Sequence, residues 1–495
     1  MQLNSLLTFL TLVISIVSAY QPEKSWLIGN YSRVVDLQKS YVKEKHIIEA
    51  TNIDTKPIDK YYLAIPEEIE PYVTLVIPYL VIPKSESPIL NGRTYTSDSD
   101  EEGSDSYKKL KFYEIDLPFP IAPKSKIRLA VTLVYTNAFK PFPEENEMGA
   151  EQTILFKTYK LPLAPYETLN FALQLTGAAK AEEVPINIPD DVKGLLPDLN
   201  YRVEKGSIVY GPYHAKIDAY VKLPMAIIFV KESPLPYVNK LKRDFWVSHW
   251  SNSYQLEEFY ELTNNGVKLN KGFSRADYML GKLTSRPSSI INGIAFPLPE
   301  EPTSEIYYTD LVGNVSTSTI RNNDLVIKPR FPIFGGWHYN FTIGWKNNLN
   351  DFLHNHPTNS NQYLLKVPLL NGMVDATYDD VKLSVYLPEG AKLISVESPV
   401  DYEDMEVSKS FSFLDMNSGH SAVTLTYTNL VDEMRGLDIM IIYEYTLFDM
   451  LLKPLTTSFY VLIALLSLYL LKKIDLSIKT MKRNQLIKKK KNLIK

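Results

Sequence analysis

The chain has 495 residues, 45% of them hydrophobic, and contains no cysteine, which excludes disulfides, thiolate nucleophiles and thiolate metal sites. Residues 472–495 hold ten Lys or Arg and one Asp, which gives this tail a net charge of +9. Since the net charge of the whole chain is −4, residues 1–471 have a net charge of −13. An acidic body of this size argues against nucleic-acid binding, and its length exceeds what one hydrophobic core supports, so we expect at least two domains.

The N-terminal segment is apolar. Residues 1–19 end in Val17-Ser18-Ala19, and small residues at the last and third-last positions are typical of a signal peptidase site. We interpret residues 1–19 as a cleaved signal peptide, with an uncleaved signal anchor as the alternative.

Residues 20–232 are predicted to form a first β-rich domain. Apolar residues alternate with polar ones from Ile127 to Tyr135, which predicts a half-buried strand. The run 72–83 is β-branched and apolar, and its two prolines indicate an edge strand or a bend.

The acidic segment 97–106 cannot pack and is predicted to be a solvated loop. Asp98-Ser-Asp100 also resembles the metal-binding Asp-X-Asp motif of some glycosyltransferases, a three-residue pattern of low specificity. An EF-hand calcium loop is excluded, because its twelfth position is Lys109 where a bidentate Glu is required.

Charged residues and two prolines interrupt the apolar run at 231–236, where we place the domain boundary. Residues 237–452 are predicted to form a second β-rich domain. The segment Val131–Asn137 nearly recurs as Val423–Asn429, which indicates either related domains or a coincidence in a chain rich in Thr, Tyr and Val. The predicted fold class is mainly β, with two tandem, sandwich-like domains and one C-terminal transmembrane helix.

Motifs for catalysis or cofactor binding are absent from the sequence, including the P-loop, GxGxxG, GxSxG and HExxH patterns. His354 and His356 lie close together, but a zinc site needs a third ligand and their neighbours are typical of a polar loop. Adjacent carboxylates such as Glu144 and Glu145 do not show that acid and base converge in space. The sequence therefore offers no catalytic, metal-binding or cofactor-binding residue, and we expect no cofactor.

The apolar run 454–471 carries no charge, and two lysines follow it at once. The seventeen residues from Leu455 to Leu471 rise about 25 Å as a helix, close to the roughly 27 Å of the endoplasmic reticulum bilayer. We predict a transmembrane helix here, with a buried core helix as the alternative. The basic tail 472–495 is then cytosolic and residues 20–452 are lumenal. We interpret the lysine run 488–491 of this tail as a charge that sets the membrane orientation and contacts lipid headgroups. Contact with ribosomal RNA is the alternative.

Three N-glycosylation sequons lie in the predicted lumenal part. Asn314 follows a glycine in a predicted exposed turn and is the best candidate. Asn340 lies in an aromatic stretch, and Asn30 lies close to the mature N-terminus. For each of them, an unmodified Asn is the alternative.

The second domain contains the sequence PRFPIFGGW. Gly335 and Gly336 permit a tight turn that presents Phe334 and Trp337 on either side. Arg330 is a candidate to pair with a carboxylate or to donate to backbone carbonyls. We interpret this stretch as a packing corner, with a docking surface for a partner as the alternative.

With this stretch the chain resembles the ribophorin I family, whose members are subunits of the oligosaccharyltransferase complex. The resemblance covers nearly the whole mature chain and is most specific in the second half. Further runs that carry it are residues 33–37, 247–250, 271–278, 307–318, 387–392 and 474–478.

The resemblance implies a non-catalytic subunit of the enzyme that transfers a preassembled glycan from dolichyl diphosphate to Asn of Asn-X-Ser/Thr in nascent proteins. Catalysis in the family belongs to a separate polytopic subunit with a Trp-Trp-Asp-Tyr-Gly motif, which this sequence lacks. The implied partners are the other subunits, including the catalytic one, and the lipid bilayer. Contact with the nascent polypeptide is a hypothesis, and no specific nucleic acid is expected. The implied location is the endoplasmic reticulum membrane, as a single-pass type I protein.

The residues alone leave two other functions open, a free-standing lumenal receptor or chaperone and a lumenal hydrolase on a membrane stalk. A hydrolase requires converging acidic or metal-binding residues in a cleft. A receptor would migrate alone after mild detergent extraction, whereas a subunit would migrate with an assembly.

Overall fold

The structure is a computed structural model, and three segments that stand out in the sequence fall wholly or largely outside its described part. These are the predicted signal peptide, the acidic segment and most of the basic tail. The described residues are 24–82, 87–95, 110–186, 201–204, 206–283, 289–299, 303–357, 359–412, 415 and 419–474.

Strands dominate both halves of the described chain, which is rich in the β-branched and aromatic residues that favour strands. The N-terminal half contains β1 (Trp26–Asp36), β2 (Val42–Asn52), β3 (Ile58–Pro66), β4 (Val73–Leu80), β5 (Gly92–Tyr95), β6 (Leu110–Ile121), β7 (Lys126–Tyr135), β8 (Phe139–Pro141), β9 (Glu145–Asn146), β10 (Thr153–Tyr159), β11 (Glu167–Thr176), β12 (Ala179–Val184), β13 (Tyr201–Glu204), β14 (Ser207–Ile217) and β15 (Pro224–Val230). The C-terminal half contains β16 (Pro236–Ser248), β17 (Ser253–Asn264), β18 (Lys268–Leu269), β19 (Ile294–Pro297), β20 (Ser304–Asp310), β21 (Gly313–Asn314), β22 (Ser318–Arg321), β23 (Asp324–Ile327), β24 (His338–Asn348), β25 (Leu353–Asn355), β26 (Gln362–Pro368), β27 (Thr377–Glu389), β28 (Lys392–Glu397), β29 (Asp404–Ser410), β30 (His420–Val431) and β31 (Asp438–Glu444). The helices of the described residues are α1 (Arg275–Leu283), α2 (Leu447–Lys473) and short 3₁₀ turns at Glu70–Tyr72, Leu349–Asp351 and Asp432–Gly436. The mainly β prediction is confirmed.

The two halves share one strand topology. In the N-terminal half the large sheet runs β13-β14-β11-β1-β2-β7-β4, and smaller sheets run β12-β15-β10-β8 and β3-β6-β5. In the C-terminal half the corresponding orders are β29-β30-β27-β16-β17-β24-β20, with β21 added at the edge, β28-β31-β26-β25 and β19-β23-β22. The parallel pair recurs too, as β1–β11 and as β16–β27. On this ground we propose that each half is one domain, with the boundary at 231–236 between β15 and β16.

One face of each large sheet is buried under the two smaller sheets. Along β1 the alternation of buried and open positions is shifted by a bulge between Ile28 and Asn30, so a single face stays buried over the whole strand. The first part of β1 packs with residues of β3 and β6, and its end packs with residues of β10 and β15. The opposite face, which carries Asn30, stays open.

A buried asparagine and a buried arginine occupy equivalent positions in the two halves. Asn52 and Asn264 end β2 and β17, are 0% exposed, and each donate their side-chain amide to two backbone carbonyls. Arg33 on β1 donates to the carbonyl of Tyr159, the last residue of β10. In the same way, Arg243 on β16 donates to the carbonyl of Pro368, the last residue of β26. Because buried polar groups need partners, these repeated contacts specify the same packing in both halves.

Several strand predictions can be compared with this arrangement. The strand predicted from Ile127 to Tyr135 is confirmed as β7. Its C-terminal end is buried on both faces, because Val134 packs with residues of the C-terminal half on the face opposite to Leu133 and Tyr135. The proline-containing β4 is an edge strand. The near repeat falls on β7 and β30, which are not equivalent in the two halves, so it is not the trace of the repeated topology.

Buried polar contacts join the halves. Asp432 is 1% exposed and accepts from the Tyr41 hydroxyl at 2.5 Å and from the Asp375 backbone N–H at 2.9 Å. Beside this contact, Lys231 at the end of the N-terminal half is 5% exposed and donates from Nζ to two carbonyls of the β1–β2 connection at 2.7 and 3.1 Å. In addition, β9 pairs with β18 in parallel.

The C-terminal helix α2 is long and apolar enough to cross a membrane, and none of its apolar window is buried. It begins at Leu447, upstream of the predicted span 454–471. A capping box between Thr446 and Asp449 starts the helix there, since each side chain bonds the other's backbone N–H. The apolar run marks the candidate membrane span, while the first two turns of the helix lie beside the β-rich part of the chain.

Candidate functional site

The aromatic corner, which we define as residues 331–337, contains a β-turn that leads into β24. The N–H of Trp337 donates to the carbonyl of Phe334 at 3.0 Å, and Gly336 has φ of +75°. Such a φ favours glycine at the third position of the turn. Phe334 is 3% exposed and Trp337 is half-buried, so the turn places one aromatic ring inside and one at the surface.

The buried Asn264 holds this turn. Its backbone carbonyl accepts from the N–H of Gly336 at 2.7 Å, and its own N–H donates to Trp337 at 3.2 Å. Its side-chain amide donates to the carbonyl of Ile333 at 3.1 Å. The turn is therefore tied to the end of β17 by three hydrogen bonds.

The same turn exists in the N-terminal half. The carbonyl of Asn52 accepts from the N–H of Lys124 at 2.9 Å, and the N–H of Asn52 donates to Ser125 at 3.0 Å. Lys124 has φ of +64° and thus corresponds to Gly336. The turn is part of the repeated fold, made from Ala-Pro-Lys-Ser in one half and from Phe-Gly-Gly-Trp in the other.

The residues that cover the aromatic corner belong to a segment that the N-terminal half lacks. Residues 53–57 connect β2 to β3, whereas residues 265–293 connect the equivalent β17 to β19. This longer connection, which we call the insertion, contains β18 and α1. Since the repeated fold forms without it in the N-terminal half, the insertion is a candidate for a specialised role.

The insertion packs closely on the corner. The ring centroid of Phe334 lies 5.6 Å from that of Phe273 and 5.9 Å from that of Tyr278. A Cβ atom added at Gly335 would lie 2.0 Å from the carbonyl oxygen of Val267. Glycine at 335 is therefore required by the approach of two backbones, a reason that differs from the positive φ at the next position.

The insertion also contacts the N-terminal half. The N–H of Val267 donates to Oε1 of the buried Gln152 at 2.9 Å, and β18 continues the contact by pairing with β9. Lys271 forms an exposed ion pair with Glu147 at 2.5 Å. Exposed pairs stabilise little, so the buried amide contact and the strand pairing account for most of the attachment.

A cavity of about 230 Å³ opens between the insertion and the N-terminal half. Phe334 and Gly335 line one side of it, residues 146–152 a second side, and Asp277 and Tyr278 a third. Next to it, Phe273, Met279 and Leu280 are 45%, 52% and 60% exposed. Exposed apolar residues at the edge of a cleft are typical of protein interaction sites.

Arg330 pairs with Asp310 at the end of β20. Its Nε and Nη2 both donate to the carboxylate, and Nη2 also donates to the carbonyls of Gly313 at 3.3 Å and Asn314 at 3.2 Å. The hydrogen bond from Arg330 holds the pKa of Asp310 below its ordinary value, with further help from two backbone N–H donors. Arg330 thus fixes the β20–β21 turn, while the aromatic corner begins at the next residue.

The sequon asparagines all lie on strands. Asn314, on β21, is exposed and follows Gly313 with φ of +131°. Asn30 on β1 is exposed and its amide donates to Glu49 at 2.7 Å, while Asn340 on β24 is half-buried on the open face of its sheet. In an extended strand, residues two positions apart lie on the same face. The Asn and the Ser or Thr of the sequons at Asn30 and Asn340 therefore both lie on the open face of their sheet.

The candidate metal-binding histidines lie at the surface. His354 is on β25 and His356 follows it. Within the described ranges, no group of three or more His, Asp or Glu residues is placed to hold a metal ion.

Sequence reasoning missed the partners of the corner. Asn264, Phe273 and Asp310 are distant from it along the chain, and only the fold brings them there. The signal in the sequence is the resemblance, since two of the runs that carry it, 271–278 and 307–318, contain Phe273 and Asp310.

The comparisons by sequence cover nearly the whole chain. The family described as Ribophorin I matches residues 26–472. Similar proteins include dolichyl-diphosphooligosaccharide–protein glycosyltransferase subunit 1A of Arabidopsis thaliana, 26% identical over 92% of this chain and 71% of that one. Subunit 1 of Caenorhabditis elegans is 26% identical over 91% of this chain and 72% of that one. A solved yeast LTA4 hydrolase covers 43% of this chain and 30% of its own at 9% identity and a TM-score of 0.27, too low to support an argument. The chain therefore belongs to the ribophorin I family.

Proposed function

We propose that this chain is a non-catalytic subunit of an oligosaccharyltransferase complex in the endoplasmic reticulum membrane. The observation that carries the proposal is the family match across residues 26–472. The names of the similar plant and nematode proteins support it, since both are numbered subunits of a dolichyl-diphosphooligosaccharide–protein glycosyltransferase. In this proposal, catalysis resides in another subunit of the assembly.

The proposed topology has one membrane span. Helix α2 crosses the bilayer, the β-rich ectodomain lies in the lumen, and the basic tail lies in the cytosol. Three features support this orientation: the apolar helix, the two lysines in its last turn, and the excess of basic residues after it. The three sequons would then lie on the glycosylated side, with the exposed Asn314 as the first candidate.

The proposed role of the ectodomain is that of a scaffold. Its two halves are joined by buried polar contacts and by the insertion, which suits a part that holds other polypeptides at fixed positions. We assign the exposed apolar residues of the insertion, Phe273, Met279 and Leu280, to contact with a neighbouring subunit. Direct contact with the acceptor polypeptide is a finer proposal, which crosslinking of a nascent glycoprotein to the ectodomain checks against a lumenal bystander.

The experiment that tests the proposed function is purification of the tagged full-length chain in mild detergent. We expect the polytopic catalytic subunit to co-purify in a fixed ratio. We also expect depletion of the chain to leave sequons of a reporter glycoprotein unmodified. A chain that migrates alone, with reporter glycosylation intact, would overturn the proposal and favour a free-standing receptor or chaperone.

A further inference from the structure

Pro454 lies inside α2 and has no backbone N–H, so it cannot donate to the carbonyl of Met450 four residues earlier. Trp250 of the β16–β17 turn supplies the missing donor, because its indole Nε1–H lies 2.9 Å from that carbonyl. A backbone carbonyl without a donor costs free energy wherever protein or lipid keeps water away from it. The ectodomain thus completes the hydrogen bonding of the helix at the point where the proline interrupts it.

The turn that carries Trp250 is fixed to the ectodomain. His249 Nε2 lies 2.8 Å from the Tyr443 hydroxyl, and its ring lies 4.9 Å from that of Tyr363. Burial lowers the pKa of His249 to about 4, so this anchor is uncharged at neutral pH. Trp250 itself remains 55% exposed, although its polar N–H is already bonded.

A second connection of the ectodomain reaches the same part of the helix. Asp415, in the β29–β30 connection, has a side chain that is 0% exposed, and it accepts a hydrogen bond from Nζ of Lys453. Phe411 belongs to the same connection and is 65% exposed. The β16–β17 turn and the β29–β30 connection therefore both contact the first two turns of α2, and Trp250 is largely uncovered by protein.

The helix sets the depth of these residues. Met450 lies about 6 Å from Pro454 along the axis, given a rise of about 1.5 Å per residue, and the apolar run begins at Pro454. The polar layer on each side of the hydrocarbon core is about 5–8 Å thick. The Met450 carbonyl and the indole bonded to it therefore lie at the level of the lipid headgroups, where Trp is enriched.

We propose that the membrane-proximal face, defined as Trp250, Phe448 and Leu451, contacts the bilayer at the boundary between headgroups and acyl chains. Phe448 and Leu451 are 66% and 48% exposed, which agrees with a surface that lipid covers. This contact and the Trp250–Met450 hydrogen bond together hold the ectodomain at a set orientation above the membrane. The inference rests on the proposed membrane span and is independent of which complex the chain joins.

Tryptophan fluorescence tests the proposal, because the chain has five tryptophans and only Trp250 lies in this face. Trp26 and Trp345 are 1% exposed, and Trp246 and Trp337 are half-buried in the ectodomain. The full-length chain is placed in nanodiscs of phosphatidylcholine brominated either near the headgroup or near the chain end. We expect quenching by the shallow bromines, its loss in Trp250→Phe and its retention in the matched control Trp337→Phe.

Two results would overturn the lipid contact. The first is an unquenched wild-type chain, or quenching that persists unchanged in Trp250→Phe. The second is shallow quenching of Trp250 that disappears in the purified complex, which would assign the face to a partner protein. Since co-purification tests the proposed function separately, a failure of either inference is recognisable on its own.

A double-mutant cycle tests the hydrogen bond. Pro454→Ala restores a backbone N–H for Met450, so Trp250→Phe should lower the thermal stability of the ectodomain in detergent less in that background than in the wild type. Equal effects of Trp250→Phe in both backgrounds would show that the indole N–H does not compensate for the proline.

Discussion

At the residue scale, position 335 requires glycine because no space is left there for a side chain. The nearest atom to a methyl group placed on its Cα is a backbone carbonyl oxygen, which has no rotamer to change. We expect Gly335→Ala to lower the free energy of unfolding by about 1–3 kcal/mol, as overpacking of a close contact does. Gly281→Ala is the matched control: nothing lies within 4 Å of its Cβ position, and alanine favours the helix there. Urea denaturation followed by fluorescence measures both, and equal stability of the two variants would contradict the close approach.

The buried pair of Arg243 and Glu258 is a second property of single residues. Both side chains are 0% exposed, and Nε donates to Oε1 at 2.7 Å. Arg243→Met leaves a buried carboxylate without its partner, so we expect a loss of about 3–5 kcal/mol. Adding Glu258→Leu should recover part of that loss, because the buried charge is then removed, while the carbonyls of Pro368 and Leu369 still lack the donor that Arg243 supplied.

The control for this pair is Lys271→Met, which removes an exposed partner and should leave the melting temperature unchanged within error. If the double variant were no more stable than Arg243→Met alone, the buried charge would not be the cause of the loss.

At the scale of elements, the insertion distinguishes the two halves. Its helix α1 exposes Met279 and Leu280, and we assign these to a neighbouring subunit. Replacing both with lysine should leave the circular dichroism spectrum and the melting temperature unchanged while it reduces co-purification of the other subunits. The matched control replaces Leu311 and Val312, which are 84% and 81% exposed in the β20–β21 turn, and should leave co-purification intact. Equal losses from both pairs would show that the effect is not specific to α1.

The elements also show the limit of reading strands by periodicity. Alternation located β7, and the proline in β4 indicated an edge, because burial on one face and the missing N–H of proline are local properties. The same reasoning did not show that β7 is interior and doubly buried toward its end. Strand order depends on contacts between residues far apart in the chain, which no single segment specifies.

At the scale of the whole molecule, Lys231 makes the stability depend on pH. Burial lowers its pKa from 10.5 to about 8 in the folded chain. Between pH 8 and 9.5 the unfolded state therefore binds more protons than the folded state, so the free energy of unfolding should rise with pH. The rise is at most about 1.4 kcal/mol per pH unit for one group.

Chemical denaturation at several pH values measures this slope. Lys231→Met should lose it, since the variant has no proton to release, whereas the exposed Lys126→Met should keep it. A wild-type slope equal to that of Lys231→Met would mean that the amine is not desolvated at the junction of the halves.

The sequence by itself determined the mainly β class, the candidate membrane span and the family. These follow from alternation, from an uncharged apolar run and from motifs such as PRFPIFGGW, all of which are local in the chain. It also predicted a tight turn at Gly335 and Gly336 and a carboxylate or carbonyl partner for Arg330, but it did not show which residues surround the turn or pair with the arginine.

Only the tertiary structure decided the rest. The repeated topology, the clamp of Asn264 on the aromatic corner, the Asp310 partner of Arg330 and the indole of Trp250 on the Met450 carbonyl all join residues that are distant in sequence. The physical reason is that buried polar groups need hydrogen-bond partners. Which residue is the partner depends on how distant segments pack together, and no single segment of the sequence contains that information.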